Sequence, residues 1–174
     1  MKKWETLRGF SLLELVVTFS VLVGVFLAVI PSFIRVIETG EMKRLATEIK
    51  GFISYAKSQA VQNNQTLYAH LTFLKDIDYT KSDWIITLTD SDVVGMGKTI
   101  SVLTGSSFEN VTVRHSYTSD QISFDGVRGR AKSGSFHFFP SGNSSKKLEL
   151  RTSNPPGRVK ICGSQKALYG YKRC

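Results

Sequence analysis

A single apolar stretch near the N-terminus constrains this chain more than any other feature. Between Phe10 and Ile34 its only formal charge is Glu14, and a run of about 25 residues is long enough to cross a bilayer as a helix. The run is too long for the apolar core of a secretory signal, and no Ala-x-Ala cleavage site follows it. We therefore expect a membrane-spanning helix that contains one carboxylate, which is costly in a bilayer unless it has a partner.

The residues that flank this run predict its orientation. Basic side chains occupy positions 2, 3 and 8, and the positive-inside rule then places the N-terminus in the cytoplasm. The chain from residue 35 onward is accordingly expected on the outer side of the membrane.

A helical pattern continues beyond the apolar run. Apolar residues recur at steps of three and four until the segment VQNNQ, whose asparagines favour a helix end. These residues are Leu45, Ile49, Phe52, Ile53, Ala56 and Ala60. We predict one helix of about 50 residues, which Pro31 can kink and whose second half packs on a domain core.

The chain changes character after Gln65. Short segments rich in β-branched and aromatic residues alternate with turn residues, which predicts a mostly antiparallel sheet and an α+β fold. The segments are TLYAHLTFL, DWIITLTD, KTISVLT, NVTVRHSY, QISFD, GSFHFFP, KLELRTS and GRVKICG.

Charge is distributed unevenly along the chain. Residues 35–125 hold 9 Lys and Arg against 11 Asp and Glu, a net charge of −2, whereas residues 126–174 hold 11 Lys and Arg against Glu149 alone, a net charge of +10. Such asymmetry indicates either a polyanionic partner or a solvated basic face.

The other reactive residue types point to no catalytic or metal site. Cys162 and Cys174 can form a disulfide if this part of the chain lies outside the cytoplasm, and no further Cys or His pair completes a zinc site. His70, His115 and His137 lie in strand-like runs and are interpreted as ordinary sheet positions. Without a nucleophile–base pair, metal cluster or phosphate loop, we expect neither an enzyme nor a cofactor.

The junction around residue 10 carries a specific motif. Arg8-Gly9-Phe10-Ser11-Leu12-Leu13-Glu14-Leu15 resembles the type III signal of type IV pilins and type II secretion pseudopilins. The family has a short basic leader ending in Gly, then Phe, a Glu at the fifth mature position and an apolar helix. An uncleaved signal anchor is the alternative, but the Phe-x-x-x-Glu spacing disfavours it.

The resemblance implies a domain organisation and a maturation route. Residues 1–9 are a leader that prepilin peptidase removes by cutting between Gly9 and Phe10, after which Phe10 is N-methylated. Residues 10–34 form the membrane and filament-core half of the helix, and residues 35–174 form the head. The family also implies that Glu14 pairs with the Phe10 ammonium of a neighbouring subunit; the alternative is a carboxylate that reaches water at the membrane interface.

The C-terminal part is similar to the GspH/FimT group of minor pilins, with the FimT-like branch favoured. In that branch a Gly-Arg-x-Arg motif is implicated in DNA uptake, and Gly157-Arg158-Val159-Lys160 matches it with Lys in place of the last Arg. Arg158 and Lys160 share one strand face, whereas Val159 faces the other way.

Two further groups of basic residues complete the candidate DNA-binding set. Lys166, Lys172 and Arg173 lie in or beside the Cys162–Cys174 loop, with two tyrosines expected to be exposed for stacking on bases. Arg128, Arg130 and Lys132 lie in a Gly-rich loop that binds DNA or is simply a solvated hairpin.

We therefore predict a minor pilin of the type IV pilin-like fold, near the pilus tip, that binds double-stranded DNA without sequence preference. Its expected partners are other major and minor pilins, prepilin peptidase and the inner-membrane assembly platform. It is expected first in the inner membrane with a periplasmic head, then in the pilus at the cell surface. The alternative is a GspH-like pseudopilin at the tip of a type II secretion pseudopilus.

Overall fold

The computed structural model describes residues 10–153 and 157–174, so the predicted leader lies outside the described residues. One long helix, α1 (Leu12–Gln62), precedes all the strands. The strands are β1 (Leu67–Leu71), β2 (Ile85–Thr89), β3 (Thr99–Thr104), β4 (Val111–His115), β5 (Gln121–Phe124), β6 (Gly134–Pro140), β7 (Leu148–Ser153) and β8 (Arg158–Gly163). Each strand falls within one predicted segment, which confirms the α+β class.

Both ends of α1 are capped by local sequence. The Leu13 N–H donates to Ser11 Oγ at 3.2 Å, as an N-cap serine allows. At the other end Asn64 has φ +48°, and the Gln65 N–H donates to the carbonyl oxygen of Ala60 at 3.1 Å. This is the Schellman arrangement with asparagine in the left-handed position, so VQNNQ ends the helix as predicted. The helix continues through position 31.

The described residues divide after Glu38 into two units, a first that ends at Glu38 and a second that begins at Thr39. In the first unit the apolar side chains of α1 are exposed, and Phe19, Phe26 and Phe33 each keep at least 60% of their surface accessible. This part of the helix is long and apolar enough to cross a membrane.

The second unit contains two four-stranded antiparallel sheets. Sheet A has the strand order β3-β2-β1-β5, and sheet B has the order β4-β6-β7-β8. The sequence predicted the strands but not their division between two sheets. In each sheet one face carries the buried apolar residues, and the opposite face, called here the outer face, carries mostly polar ones.

The core of the second unit joins the helix to both sheets. All six α1 positions predicted to face the core are buried, which confirms the helical pattern. Aromatic rings connect the sheets, since Phe73 and Trp84 beside sheet A contact Phe136 of β6 with ring centroids 5.8 and 6.2 Å apart. Among the described residues the buried core begins at Met42, so the second unit carries the whole core and we expect it to fold without the apolar segment.

Candidate nucleic-acid interface

The N-terminal motif is presented at the start of α1. Phe10 precedes the helix and is 75% exposed, while Glu14 lies in the first helical turn and is also exposed. Gly9 lies outside the described residues. Phe10 and Glu14 are therefore on the surface of the single chain, where another molecule can reach both.

The GRVK motif leads into β8, the edge strand of sheet B, which begins at Arg158. Arg158 and Lys160 are exposed on the outer face, whereas Val159 and Ile161 are half-buried and pack against the core. The alternation places two cations about 7 Å apart on one side of the strand, since two residues span that distance.

The neighbouring strand adds a cation that the motif did not include. Arg151 of β7 lies directly opposite Lys160, and Ser153 lies opposite Arg158. Residues that face each other across antiparallel strands project to the same side. Arg151 therefore extends the basic surface from the edge of sheet B toward its centre.

Arg151 is tied to Glu149, the only acid of residues 126–174. The Glu149 side chain is 6% exposed, and its Oε2 lies 2.7 Å from both Nε and Nη2 of Arg151. Burial on its own would raise the pKa of Glu149, but hydrogen bonds from Ser164 and Arg151 and the charge of Arg151 outweigh it and lower that pKa. Glu149 is thus an ionised, buried anchor for Arg151.

His137 of β6 lies on the other side of Glu149. Its Nδ1 is 3.6 Å from Glu149 Oε1, longer than a hydrogen bond, and its Nε2 is 2.8 Å from Ser135 Oγ. Burial is the main cause that lowers the pKa of His137, against the opposing charge of Glu149. The imidazole is therefore mostly neutral at pH 7 and adds little positive charge to this face.

The Gly-rich loop after β5 is a tight turn rather than an extended arm. The Gly129 N–H donates to the Asp125 carbonyl oxygen at 2.8 Å, and the Asp125 N–H donates to the Arg130 carbonyl oxygen at 2.9 Å. Arg128 is exposed at this turn, whereas Arg130 and Lys132 are half-buried. The Lys132 ammonium donates to the Thr118 carbonyl oxygen at 3.3 Å, so part of its hydrogen-bonding capacity is used within the protein.

This loop and β8 meet at Gly157. A Cβ atom built on Gly157 would lie 3.1 Å from Arg130 Cγ, and Gly157 has φ +74°. The Gly157 carbonyl oxygen also accepts a hydrogen bond from Lys57 Nζ of α1 at 2.8 Å. Arg130 therefore lies beside the residue that precedes Arg158, which brings two basic groups that are far apart in sequence close together.

The third basic group lies at the opposite end of β8. A disulfide joins Cys162 to Cys174, and the Gly163 N–H donates to the Lys172 carbonyl oxygen at 2.9 Å. Lys166, Lys172 and Arg173 are exposed in the segment that the disulfide holds. Since β8 has six residues, about 17 Å separates this group from Arg158.

The two tyrosines of this segment are not the exposed stacking residues that the sequence suggested. Tyr169 and Tyr171 are half-buried and pack against the hydrophobic core. Tyr169 and Gly170 both have positive φ, 51° and 87°, and Leu168 and Tyr171 exchange backbone hydrogen bonds across them. The tight turn directs the rings inward, where burying their apolar surface is favourable.

The three histidines occupy strands, as expected. His70 lies in β1, His115 in β4 and His137 in β6. Across residues 10–153 and 157–174, no group of three or more His, Cys, Asp or Glu residues is placed to hold a metal ion.

Sequence reasoning missed the contributions of Arg151 and Glu149. The alternating segment KLELRTS signals that both share one face of a strand. The register of β7 against β8 sets Arg151 opposite Lys160. This register depends on how the two strands pair, and no short stretch of sequence predicts it.

Comparisons with known proteins bear on the fold. A family model described as type II transport protein GspH matches residues 45–169. A crystal structure of the type IV minor pilin FimU from Pseudomonas aeruginosa superposes with a TM-score of 0.58 and 21% identity, covering 75% of this chain and 94% of FimU. A second crystal form of FimU gives a TM-score of 0.54 and 21% identity, covering 72% and 95%. At this identity the likeness shows a shared fold. No curated protein matches the chain.

Proposed function

Because the chain belongs to the family of GspH type II transport proteins, we propose that it is a minor pilin that assembles near the tip of a type IV pilus and binds duplex DNA there. The apolar part of α1 anchors the subunit in the inner membrane before assembly, with the head in the periplasm. Other major and minor pilins and the inner-membrane assembly platform are its partners.

Maturation in this proposal begins at the N-terminal motif. Prepilin peptidase cuts between Gly9 and Phe10, and the new amino group of Phe10 is methylated. The exposure of Phe10 and the membrane-spanning length of the following helix support this step. Mass spectrometry of the assembled subunit should find N-methylated Phe10 as its first residue.

Glu14 supplies the assembly contact. In the packed helices of a filament core an unpaired carboxylate is costly, so pairing with the Phe10 ammonium of a neighbour fixes the register between subunits. A Glu14→Ala variant should be inserted and cleaved but absent from sheared filaments. The control is Glu48→Ala, which removes an exposed carboxylate from the same helix outside the apolar run. Normal incorporation of Glu14→Ala would contradict the assembly role.

DNA binding is supported by one observation above all, the convergence of basic residues along β8. Arg158, Lys160 and Arg151 share the outer face of sheet B, Arg130 lies at one end of β8, and the disulfide-held cations lie at the other. Cations spread over about 17 Å match a backbone that carries one phosphate charge per ~1.7 Å of duplex axis. Contacts of this kind are independent of base sequence.

A gel-shift salt series on a soluble fragment from Val36 to Cys174 tests this part of the proposal. The wild-type fragment should bind duplexes of unrelated sequence at low salt, with an affinity that falls steeply as salt rises. Arg158→Gln with Lys160→Gln should reduce the salt slope by about one unit per lost contact. The control pair, Lys43→Gln with Lys50→Gln, removes two exposed α1 cations and should leave the slope nearly unchanged. Absence of binding by the wild type at low salt would refute DNA binding but not filament assembly.

A pseudopilin of a type II secretion system is the second candidate, because the matching family model is described by that system. A secretion tip has no evident need for a C-terminal segment with a net charge of +10, which favours the pilus. Deletion of the gene separates the two functions. Loss of pili and of DNA uptake supports the pilus, whereas intact pili with secreted proteins trapped in the periplasm support secretion.

A further inference from the structure

The outer face of sheet B carries the Cys162–Cys174 disulfide beside a buried acid. Cys162 of β8 lies directly opposite Glu149 of β7 in the strand register, and side chains paired in this way project to the same side of the sheet. Cys174 Sγ lies 3.8 Å from Glu149 Oε2. A disulfide sulfur carries no hydrogen, so this contact is not a hydrogen bond. Both cysteines of the bond are therefore neighbours of one carboxylate.

The carboxylate is screened less than the positive charges around it. Glu149 is ionised at neutral pH, and its side chain is only 6% exposed. The guanidinium of Arg151 lies 2.7 Å away and compensates part of this charge, but the Arg151 side chain is 54% exposed, so water screens it more strongly. Lys172 and Arg173 are also exposed, and His137 is mostly neutral. The carboxylate is therefore the main buried charge beside the disulfide.

Burial decides which sulfur an external thiol can reach. Cys162 is 0% exposed, whereas Cys174 is exposed. A thiolate therefore attacks Cys174 Sγ and forms a mixed disulfide with it, while the bond between the two cysteines breaks and its electron pair leaves with Cys162 as a thiolate. The second thiolate of a dithiol then attacks the mixed disulfide and releases Cys174. The protein is reduced, and the dithiol is oxidised to a disulfide.

Glu149 opposes the first step of this reaction in two ways. The incoming thiolate is an anion and has to approach Cys174 Sγ, close to Glu149 Oε2. The departing thiolate of Cys162 is an anion in a buried site, opposite the same carboxylate. Like charges repel strongly where water is excluded, and a sulfur leaves more slowly when its thiolate is less stable. Both effects slow the exchange.

We propose that Glu149 protects the Cys162–Cys174 disulfide from reduction by thiols and dithiols, and thereby keeps the C-terminal segment held against β8. Hydrogen bonds support the same closed arrangement, since the Gly163 N–H donates to the Lys172 carbonyl oxygen at 2.9 Å and the Cys174 N–H donates to the Gly163 carbonyl oxygen at 3.0 Å. These bonds limit the local opening that would expose Cys162. The role goes beyond the proposed function and does not depend on DNA binding.

The rate at which dithiothreitol reduces the full chain in detergent micelles tests the proposal. The chain has only two cysteines, so alkylation of free thiols followed by mass spectrometry reports on this bond alone. Glu149→Gln should be reduced about tenfold faster than the wild type, because it removes the charge and keeps the shape of the side chain. The exposed Glu109→Gln is the control and should react at the wild-type rate. Absence of any acceleration in Glu149→Gln would overturn the proposal.

A second variant separates the effect of charge from a loosening of the structure. Arg151→Gln breaks the same hydrogen bonds to the carboxylate but leaves the charge of Glu149 in place without its compensating cation. It should therefore be reduced no faster than the wild type. Equal acceleration in Arg151→Gln and Glu149→Gln would show that local loosening exposes the disulfide, and the proposal would be rejected.

The unmodified protein provides a test that needs no variant. Cysteamine carries a positive charge besides its thiol, whereas mercaptoacetate carries a negative one. Each rate is divided by the rate of the same thiol with 2-hydroxyethyl disulfide, which corrects for differences in nucleophilicity. Cysteamine should give the higher corrected rate if the buried carboxylate governs the attack. Equal corrected rates, or a preference for mercaptoacetate because the exposed cations Lys172 and Arg173 govern it, would overturn the proposal.

Discussion

Gly157 packs directly against Arg130, with only 3.1 Å between the Arg130 Cγ and the place where a side chain at position 157 would begin. Gly157 leads into β8, and Arg130 belongs to the turn after β5. Glycine is favoured here for two reasons: the backbone has φ +74°, and a side chain would meet Arg130. The close approach therefore places the basic turn after β5 beside the start of β8, although the two are far apart in sequence.

Replacing Gly157 by alanine should affect both stability and DNA affinity. The left-handed conformation costs a residue with a Cβ about 1–2 kcal/mol, and the added methyl should displace Arg130. Gly142→Ala is the matched control, because Gly142 has φ +86° and open space where its Cβ would lie. Urea unfolding should show a similar loss for both variants, but gel shifts should show weaker DNA binding only for Gly157→Ala. Equal DNA affinity of the two variants would argue against a role for Arg130.

A hydrogen bond 2.8 Å long from Lys57 Nζ to the Gly157 carbonyl oxygen links α1 to the residue that precedes β8. Lys57→Met keeps the apolar part of the side chain but removes the donor, so the free energy of unfolding should fall by about 1–2 kcal/mol. Lys50→Met, at an exposed position of the same helix, should change it by less than about 0.5 kcal/mol. Chemical denaturation of both variants compares these losses, and equal losses would show that the bond contributes little.

The lowered pKa of Glu149 predicts how the stability of the protein depends on pH. Its folded-state pKa is lowered below the ordinary value of 4.5, so its contribution is present above that value and is lost as pH falls through the folded-state pKa. Wild type should therefore lose more stability than Glu149→Gln when the pH is lowered below 4.5. Urea midpoints measured from pH 6 to pH 3 compare the two. The exposed Glu109→Gln serves as the control and should follow the wild type. Parallel curves for wild type and Glu149→Gln would be the contrary result.

The disulfide positions the cations at the C-terminal end of the chain. Replacing both cysteines by alanine should cost about 2–3 kcal/mol in the chain-entropy model for so short a loop. It should also lower the salt slope of DNA binding, because Lys166, Lys172 and Arg173 are no longer held beside β8. Substituting these three cations by glutamine should lower the slope equally while leaving the urea midpoint almost unchanged. A salt slope unaffected by either change would remove this segment from the interface.

Much of the fold could be predicted because its signals are local. The spacing of Leu45, Ile49 and Ile53 identified the buried face of α1, and Asn64 identified its end. The alternation of Arg158 with Val159 identified the outward side of β8. The prediction that Tyr169 and Tyr171 are exposed was wrong, because a tight turn at Tyr169 and Gly170 directs both rings toward the core.

The sequence by itself determined the helix, the eight strands, the excess of positive charge after residue 125 and the N-terminal motif. These features depend on residues a few positions apart, through helical and strand periodicity and through composition. Only the tertiary structure decided that the strands form two sheets, that Arg151 faces Lys160, and that Arg130 lies against Gly157. Those relationships follow from strand register and from packing between distant segments, which the burial of a shared core selects and no short stretch of sequence encodes.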